Sequence, residues 1–376
     1  MKIVHIITGL STGGAEMMLY KLLSRINEDE FESEVISLTD DGPIADKIRM
    51  LGIPVHSLGM KRGNPYPIAL IKLTLLLREK KPDLVQTWLY HSDLIGGVAA
   101  KLAGSIKTFW NIRQGNIDVD SNKRSAIWIA KTCSKLSSRI PEKIICCSQA
   151  VLEFHSSMGY CREKMIVLPN GFDLDVFKPD PVARKSVYDE LGISEKDYLI
   201  GLMARFHPQK DHLNFINAAK LVREKIPSVH FMLCGDDVIN ENTHLMHWIE
   251  QAGLKEYFHL LGTRDDIPRL TAAMDVSVSS SLGGEGFPNV VGEAMACAVP
   301  CVVTDVGDSA LIVCDTGRVA AIKDSAALAS EIIELLQAPA EVREEMGRKA
   351  RLRVKNNYSL ESVAKRYEAV FRGDAG

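Results

Sequence analysis

Short strand-like runs alternate with helix-like runs along this chain and predict an α/β protein built on doubly wound parallel sheets. Three observations carry that expectation. Strands are joined by helical crossovers and not by hairpins. The chain has 376 residues, too long for one ordinary domain and suited to two of similar size. A turn-rich stretch, Leu168–Pro179, separates two alternating series and reads as a hinge.

In the first series the strands are expected at Lys2–Ile7, Glu34–Leu38, Val55–Ser57, Leu84–Thr87, Lys107–Ile112, Lys143–Cys147 and Met165–Leu168. The helices between them are expected at Ala15–Ile26, Pro43–Leu51, Pro67–Lys80, His91–Ala103, Ser121–Ser138 and Gln149–Met158. The second series has strands at Tyr198–Met203, His230–Cys234, Phe258–Leu261, Val276–Ser279, Cys301–Thr304 and Val319–Ala321, and a last helix at Leu360–Phe371. No internal repeat or low-complexity stretch interrupts either series.

Composition narrows the functional classes. A hydrophobic content of 46% with 25% charged residues is that of a globular protein able to bury two cores. A net charge of −3 argues against global electrostatic binding of nucleic acid, so any anion site must come from local groups. The eight cysteines (Cys133, Cys146, Cys147, Cys161, Cys234, Cys297, Cys301 and Cys314) show no metal-ligand spacing and read as reduced core residues of a cytosolic protein. Met1–Ile7 reads as a first strand and not a signal peptide. No run of about 20 apolar residues is present to span a membrane. Ala69–Leu77 is too short for that role and is expected to be a buried helix.

The most informative segment is Gly283–Pro300. It follows the strand at Val276–Ser279, holds a glycine-flanked acidic loop, then a helix from about Pro288, and leads into the strand at Cys301. In such a βαβ unit the loop faces ligands at the carboxyl edge of the sheet. The helix start near Asn289 and Val290 suits a phosphate. Glu285 lies in the loop and Glu293 about two helical turns further on. On spacing alone the pair is equally a loop acid and a solvated helix acid. A second cue is Arg205 and Lys210 on the loop after Tyr198–Met203, where two cations suit a diphosphate. Asp211 reads as an N-cap of the next helix. A third is Gly13-Gly14, which lets backbone amides approach a phosphate or simply makes a turn.

Glu285 and Glu293, with seven residues between them and Ala-Met-Ala-Cys following, closely resemble the E-x7-E motif of retaining glycosyltransferase family 4. The resemblance implies the GT-B fold, with two Rossmann-like doubly wound domains facing a central cleft. The domains are then residues 1–170 with a returning terminal helix, 358–376, and residues 171–357 as the nucleotide-sugar domain. It implies that Arg205 and Lys210 neutralise the donor diphosphate as the sugar leaves, and Asp211 stands where the family usually has glycine. Glu285 would face the donor sugar near the amides of Gly286 and Phe287, and Glu293 would bind the ribose hydroxyls. Backbone near Thr263 and Arg264 would read the nucleobase, Pro288, Asn289 and Val290 would line the phosphate end, and the Gly13–Gly14 loop would close over the donor. Two carboxylates beside a dianion must point at hydroxyls, which fits these roles.

On the acceptor side, His91 and Asp93 follow a strand and are expected at the carboxyl edge of the first sheet. There His91 is either an ordinary cap residue or a contact for sugar or acceptor. Family members carry a histidine at the edge of the next strand, and here Asn111 and Arg113 stand instead. The acidic pairs Asp236–Asp237 and Asp265–Asp266 are expected to cap helices, and no metal or other cofactor is expected. Lys123, Arg124, Lys131, Lys135, Arg139 and Lys143, interleaved with Ile127, Trp128, Ile129 and Leu136, read either as a solvated basic helix or as a surface docking on anionic lipid.

The expected protein is a metal-independent, retaining glycosyltransferase. It would take a nucleotide sugar, expected to be a uridine diphosphate sugar, and a saccharide acceptor, soluble or carried on lipid, in bacterial surface polysaccharide synthesis. It would be cytoplasmic, with a peripheral position on the inner face of the membrane. The rival readings are a GT-B sugar-nucleotide epimerase and a non-catalytic sugar-nucleotide-binding subunit.

Overall fold

A computed structural model describes residues 1–39, 41–60, 66–115 and 124–374. The chain divides into two compact units, Met1–Gly171 with Leu360–Gly376, and Phe172–Ser359.

The first unit runs β1 (Lys2–Ile7), α1 (Gly14–Leu23), β2 (Glu32–Ser37), α2 (Pro43–Met50), β3 (Val55–Ser57), α3 (Tyr66–Lys80) and β4 (Leu84–Trp88). It continues with α4 (Tyr90–Gly104), β5 (Lys107–Ile112), α5 (Arg124–Leu136), β6 (Lys143–Cys146), α6 (Gln149–Ser157) and β7 (Met165–Val167). The second unit has α7 (Pro181–Leu191), β8 (Tyr198–Met203), α8 (His212–Lys225), β9 (Val229–Cys234), α9 (Thr243–Gln251), β10 (Phe258–Leu260) and α10 (Ile267–Ala272). After these come β11 (Val276–Ser279), α11 (Asn289–Ala296), β12 (Cys301–Thr304), α12 (Ser309–Val313), β13 (Arg318–Ala320), α13 (Ser325–Gln337) and α14 (Ala340–Asn357). The last helix, α15 (Leu360–Arg372), belongs to the first unit.

Each unit is a parallel sheet. The orders are β3-β2-β1-β4-β5-β6-β7 and β10-β9-β8-β11-β12-β13, so the doubly wound α/β class expected from the sequence is what the chain adopts. The central strands are buried on both faces, and their alternating side chains feed two cores. Ile3 and Ile7 pack with α1, α2 and α15, whereas Val4 and Ile6 pack with α3 and α4 on the opposite face. α15 earns its place through an apolar stripe at helical spacing, with Leu360, Val363, Ala364, Tyr367, Val370 and Phe371 all buried. Tyr367 stacks on Trp88 with ring centroids 6.5 Å apart, and Phe371 stacks on Phe109 at 6.3 Å.

Sheet order fixes where ligands can reach. In the second sheet β9 and β10 lie on one side of β8, and β11 pairs with β8 on the other. The loops after β8 and β11 therefore leave the sheet in opposite senses and open a crevice at their carboxyl ends, the switch point of a doubly wound sheet. In the first sheet the same reversal falls between β1 and β4, which places the Gly13–Gly14 loop beside the turn leading to His91.

Three expectations need correction. The Ala69–Leu77 helix is only half buried: Ala69, Leu73 and Leu77 face the core while Ile71 and Leu75 are exposed, because α3 covers one side of the sheet and nothing described covers its outer stripe. Cys161 and Cys314 are not core residues; Cys161 is partly exposed and Cys314 exposed, although all eight thiols are free. The acidic pairs do not cap helices through their carboxylates. Asn242 caps α9, accepting from the Leu245 amide at 3.1 Å, and Asp237 instead accepts the Asn242 side-chain amide. Asp266 stands at the start of α10 but gives its carboxylate to Arg264 and Arg269, since a guanidinium outcompetes a backbone amide for it.

Candidate active site

The β8 loop carries Arg205 and Lys210. It is shaped by a short 3-10 turn, Pro208–Lys210, after which Asp211 adopts φ +48 and starts α8. Its carboxylate accepts from the Asn214 amide at 3.3 Å, so the expected N-cap is present. The left-handed backbone also explains why glycine suits this position: a side chain there costs roughly 1–2 kcal/mol, and aspartate is among the residues that tolerate it. Burial raises the Asp211 carboxyl above its ordinary value. The loop after β9 supports the turn from behind. Gly235 has no Cβ to strike the Ala204 carbonyl, and the Phe206 amide donates to the Asp236 carbonyl at 2.8 Å.

The loop after β11 is clipped to the first one across the switch point. The Leu282 amide donates to the Gln209 carbonyl at 2.9 Å, and Ser280 Oγ donates to the Lys210 carbonyl at 2.8 Å. Gly284, at φ +79, lets the Gln209 side-chain amide lie where a Cβ would sit only 2.6 Å away. This scaffold brings Lys210 Nζ and Glu285 Oε1 into an ion pair, and Ser281 Oγ donates to the same oxygen at 2.8 Å. Lys210 and Glu285 side chains are 24% and 14% exposed, enough to meet a ligand and little enough for the pair to matter. Arg205, on the same loop, is exposed. Burial and the neighbouring Arg205 and Lys210 charges lower the His207 pKa, so its ring stays neutral at pH 7.

The remaining donor-side residues fall into two groups. Gly286, Phe287 and Pro288 are buried and hold the loop's exit: the Gly286 carbonyl accepts from the Asp308 amide at 3.1 Å, and Phe287 stacks on Phe172 at 6.0 Å and meets Tyr358 edge-on at 5.4 Å. Asn289, Val290 and Glu293 are half-buried along α11, which begins at Asn289. Thr263 is exposed on the β10 loop, while the Arg264 side chain is committed to Glu190 and Asp266, leaving its backbone as the part able to read a base.

Sequence reasoning missed the residues that hold this geometry. Ser280, Ser281 and Thr304 tie the β11 loop, the last through bonds of 3.2 and 2.5 Å to the carbonyls of Ser279 and Ser281. Gly307, at φ +58, lies where a Cβ would stand 2.5 Å from the Glu285 carbonyl oxygen. Of these, only Gly307 carried a sequence signal, a glycine after a strand.

In the first unit, Leu89 turns with φ +73 at the carboxyl end of β4 and delivers His91 to the first turn of α4. Such strain in a non-glycine residue is a feature of ligand-facing turns. Burial lowers the His91 pKa, leaving a neutral imidazole. Ser92 Oγ and Thr8 Oγ1, 3.1 Å apart, tie this turn to the β1 loop. Asp93 does not reach the edge. It is fully buried and accepts from Thr87 Oγ1 at 2.5 Å, and burial raises its carboxyl well above the ordinary value. Glu16 folds its carboxylate back over Gly13, and burial raises its pKa as well, while the space around Gly14 is open. Asn111 and Arg113 clamp the terminal helix: Asn111 Nδ2 donates to the Tyr367 hydroxyl at 3.1 Å, and Arg113 reaches the same oxygen at 3.3 Å and the Asn170 side chain. Among the described residues no group of three potential metal ligands comes together. Lys123 and the side chain of Arg124 lie outside what is described of the expected basic helix, whereas Lys131, Lys135 and Arg139 are exposed.

Residues 197–338 match the family described as Glycosyl transferases group 1, and residues 12–176 match Glycosyltransferase Family 4. The chain belongs to these family 4, group 1 glycosyltransferases. It is 26% identical over 330 residues to UDP-Gal:alpha-D-GlcNAc-diphosphoundecaprenol alpha-1,3-galactosyltransferase of Escherichia coli, covering 83% of this chain and 81% of that one. It is 24% identical to N,N'-diacetylbacillosaminyl-diphospho-undecaprenol alpha-1,3-N-acetylgalactosaminyltransferase of Campylobacter jejuni, covering 79% of each. Among solved structures, Anabaena Alr3699/HepE in complex with UDP superposes with a TM-score of 0.86 at 22% identity, covering 99% of this chain and 100% of that one, which establishes the shared fold.

Proposed function

We propose that this protein is a retaining, metal-independent glycosyltransferase that moves a sugar from a uridine diphosphate sugar onto a saccharide carried on a polyprenyl diphosphate. The observation that carries the reading is the Lys210–Glu285 pair across the switch point of the second sheet. An arriving diphosphate carries more negative charge than one carboxylate. It would draw Lys210 to itself, with Arg205 from the same loop, and release Glu285 toward the sugar hydroxyls. The bond from the anomeric carbon to the diphosphate breaks as the acceptor oxygen bonds to the same face, and the acceptor's hydroxyl proton passes to the departing phosphate oxygen. The two cations stabilise the charge left on the departing diphosphate, in the place a divalent ion would otherwise fill. Glu293 takes the ribose hydroxyls. His91, neutral and placed at the first sheet's switch point, contacts the acceptor or the transferred sugar.

The donor and acceptor classes rest on the two relatives, whose names specify UDP-Gal in one case and undecaprenyl diphosphate saccharides in both. The α linkages in both names accord with retention from an α-linked sugar diphosphate. With such an acceptor the protein would work at the inner face of a membrane. The test is a donor screen by UDP release, with and without polyprenyl diphosphate saccharides, and assignment of the product anomer by NMR. Acceptor-dependent UDP release with an α product from an α donor is expected. UDP release or sugar isomerisation independent of acceptor, or a β product, would overturn the reading.

A further inference from the structure

Among the described residues no helix is long and apolar enough to cross a membrane, yet the outer surface of the α3–α4–α5 layer is strongly apolar. Ile68, Ile71 and Leu75 are 55%, 60% and 58% exposed and fall at i, i+3 and i+7, so they form one stripe along α3. Trp128 on α5 is 64% exposed and Leu102 on α4 53%. Single exposed apolar residues need no explanation, but a contiguous set of large ones marks a site of contact. Between the three helices runs a groove of about 270 Å³, lined by Leu70, Leu94, Ile95, Val98, Trp128 and Ile129. None of these side chains offers a hydrogen bond except the indole of Trp128, so the groove fits a hydrocarbon chain and has little for a sugar or nucleotide.

Charge identifies what carries that chain. Among the described residues, the exposed charged side chains of α3, α4 and α5 are Lys72, Arg78, Lys101, Lys131 and Lys135 against one acid, Glu79, on a chain whose net charge is −3. On α5, Trp128, Lys131 and Lys135 share one stripe at i, i+3 and i+7, an indole beside two ammoniums, as at a bilayer interface. The basic helix expected from sequence is thus one edge of a larger face whose apolar floor is supplied by α3 and α4.

We propose that this face docks on an anionic bilayer, with the α3 stripe and Trp128 in the acyl layer and the groove holding one hydrocarbon chain. This deepens the reading above, since it rests on a lipid-linked acceptor, and it names the surface that would bring the protein to one. Lysines at the rim meet headgroups and give a salt-sensitive component; the apolar stripe gives a component that salt does not screen.

The experiment uses the full chain and vesicles of phosphatidylcholine with or without phosphatidylglycerol, including lipids brominated along one acyl chain. Binding is expected to require phosphatidylglycerol, and brominated chains should quench tryptophan emission in the wild type but not in Trp128→Phe. Of the other three tryptophans, Trp88 and Trp110 are fully buried and Trp248 is half-buried on α9; all three remain in Trp128→Phe and supply its unquenched emission. The double variant Ile71→Ser, Leu75→Ser alters exposed positions, so it should fold as wild type yet bind vesicles on the order of tenfold more weakly. Unchanged partitioning in that variant, or quenching that survives Trp128→Phe, would overturn the proposal. So would a stable dimer without lipid that the double variant dissolves, since the face would then belong to a second copy. Transfer to a detergent-dispersed acceptor is measured in parallel. Intact transfer with no vesicle binding refutes this surface alone, and vesicle binding with no transfer refutes the function alone.

Discussion

Replacing Lys210 with Met removes one charge from a pair whose members are 24% and 14% exposed. In the ligand-free protein Glu285 would keep the Ser281 hydroxyl but lose its counter-charge, a cost of about 1–3 kcal/mol for a partly buried group left short of a partner. The second unit, residues 172–359, is of a size at which 1 kcal/mol moves Tm by about 2–4 °C, so a fall of about 2–12 °C is expected. Lys210 is also proposed to grip the donor diphosphate. UDP affinity should therefore drop by ~1.5–3 kcal/mol, roughly 10- to 150-fold in Kd. The partner substitution separates the two roles. Glu285→Gln also breaks the pair, and it liberates Lys210, so UDP should bind at least as tightly as in the wild type while turnover collapses. Isothermal titration with UDP, thermal melts and steady-state turnover on the two single variants and the double variant form a complete cycle. The stability data should show a coupling of about 0.5–3 kcal/mol. A Lys210→Met protein that melts early but binds UDP within about twofold of wild type would make the pair a structural clip and refute the donor assignment.

Gly307→Ala should lower stability by about 1–2 kcal/mol from φ +58 alone and disturb the β11 loop, because its Cβ would meet the Glu285 carbonyl; unchanged melting and activity would show that the loop is not held there. Turnover should persist in excess EDTA, and complete loss restored by magnesium or manganese would overturn the metal-independent reading. Glu34, although burial pushes its carboxyl up, is held down to about 2 by the ammoniums of Lys2 and Lys80. A carboxylate depressed in the folded state stabilises fully above its unfolded value of about 4.5 and loses that contribution as pH falls toward 2. Urea midpoints of wild type and Glu34→Gln should therefore differ at pH 7 and converge toward pH 3; a constant gap would contradict the linkage.

The positions of the strands and of the E-x7-E segment were legible because both are local signals. Lys107–Ile112 and Tyr198–Met203 are bounded by their own periodicity and turn residues, and α11 by Pro288 and Pro300. Asp211 as a cap was equally readable. Side-chain partners that are distant in sequence were not. Asp266 reads as a cap until Arg269 and Arg264 turn toward it, and Asn111 and Arg113 read as acceptor-edge residues until Tyr367 arrives from the terminal helix. Ala69–Leu77 reads as buried because it is apolar except at Lys72 and Thr74, and only packing decides which stripe is covered.

By itself the sequence determined the class of each element, the parallel α/β architecture and the acids and bases available for chemistry, because backbone propensity and apolar periodicity act over a few residues. The tertiary structure decided that β8 lies beside β11, and hence that Lys210 meets Glu285 across 75 residues of chain. It decided as well that the apolar stripe of α3 faces outward, and that Leu70 of the same helix shares a groove with Trp128. Sheet order and helix rotation are set by how whole faces bury against one another, and no local window of sequence carries that sum.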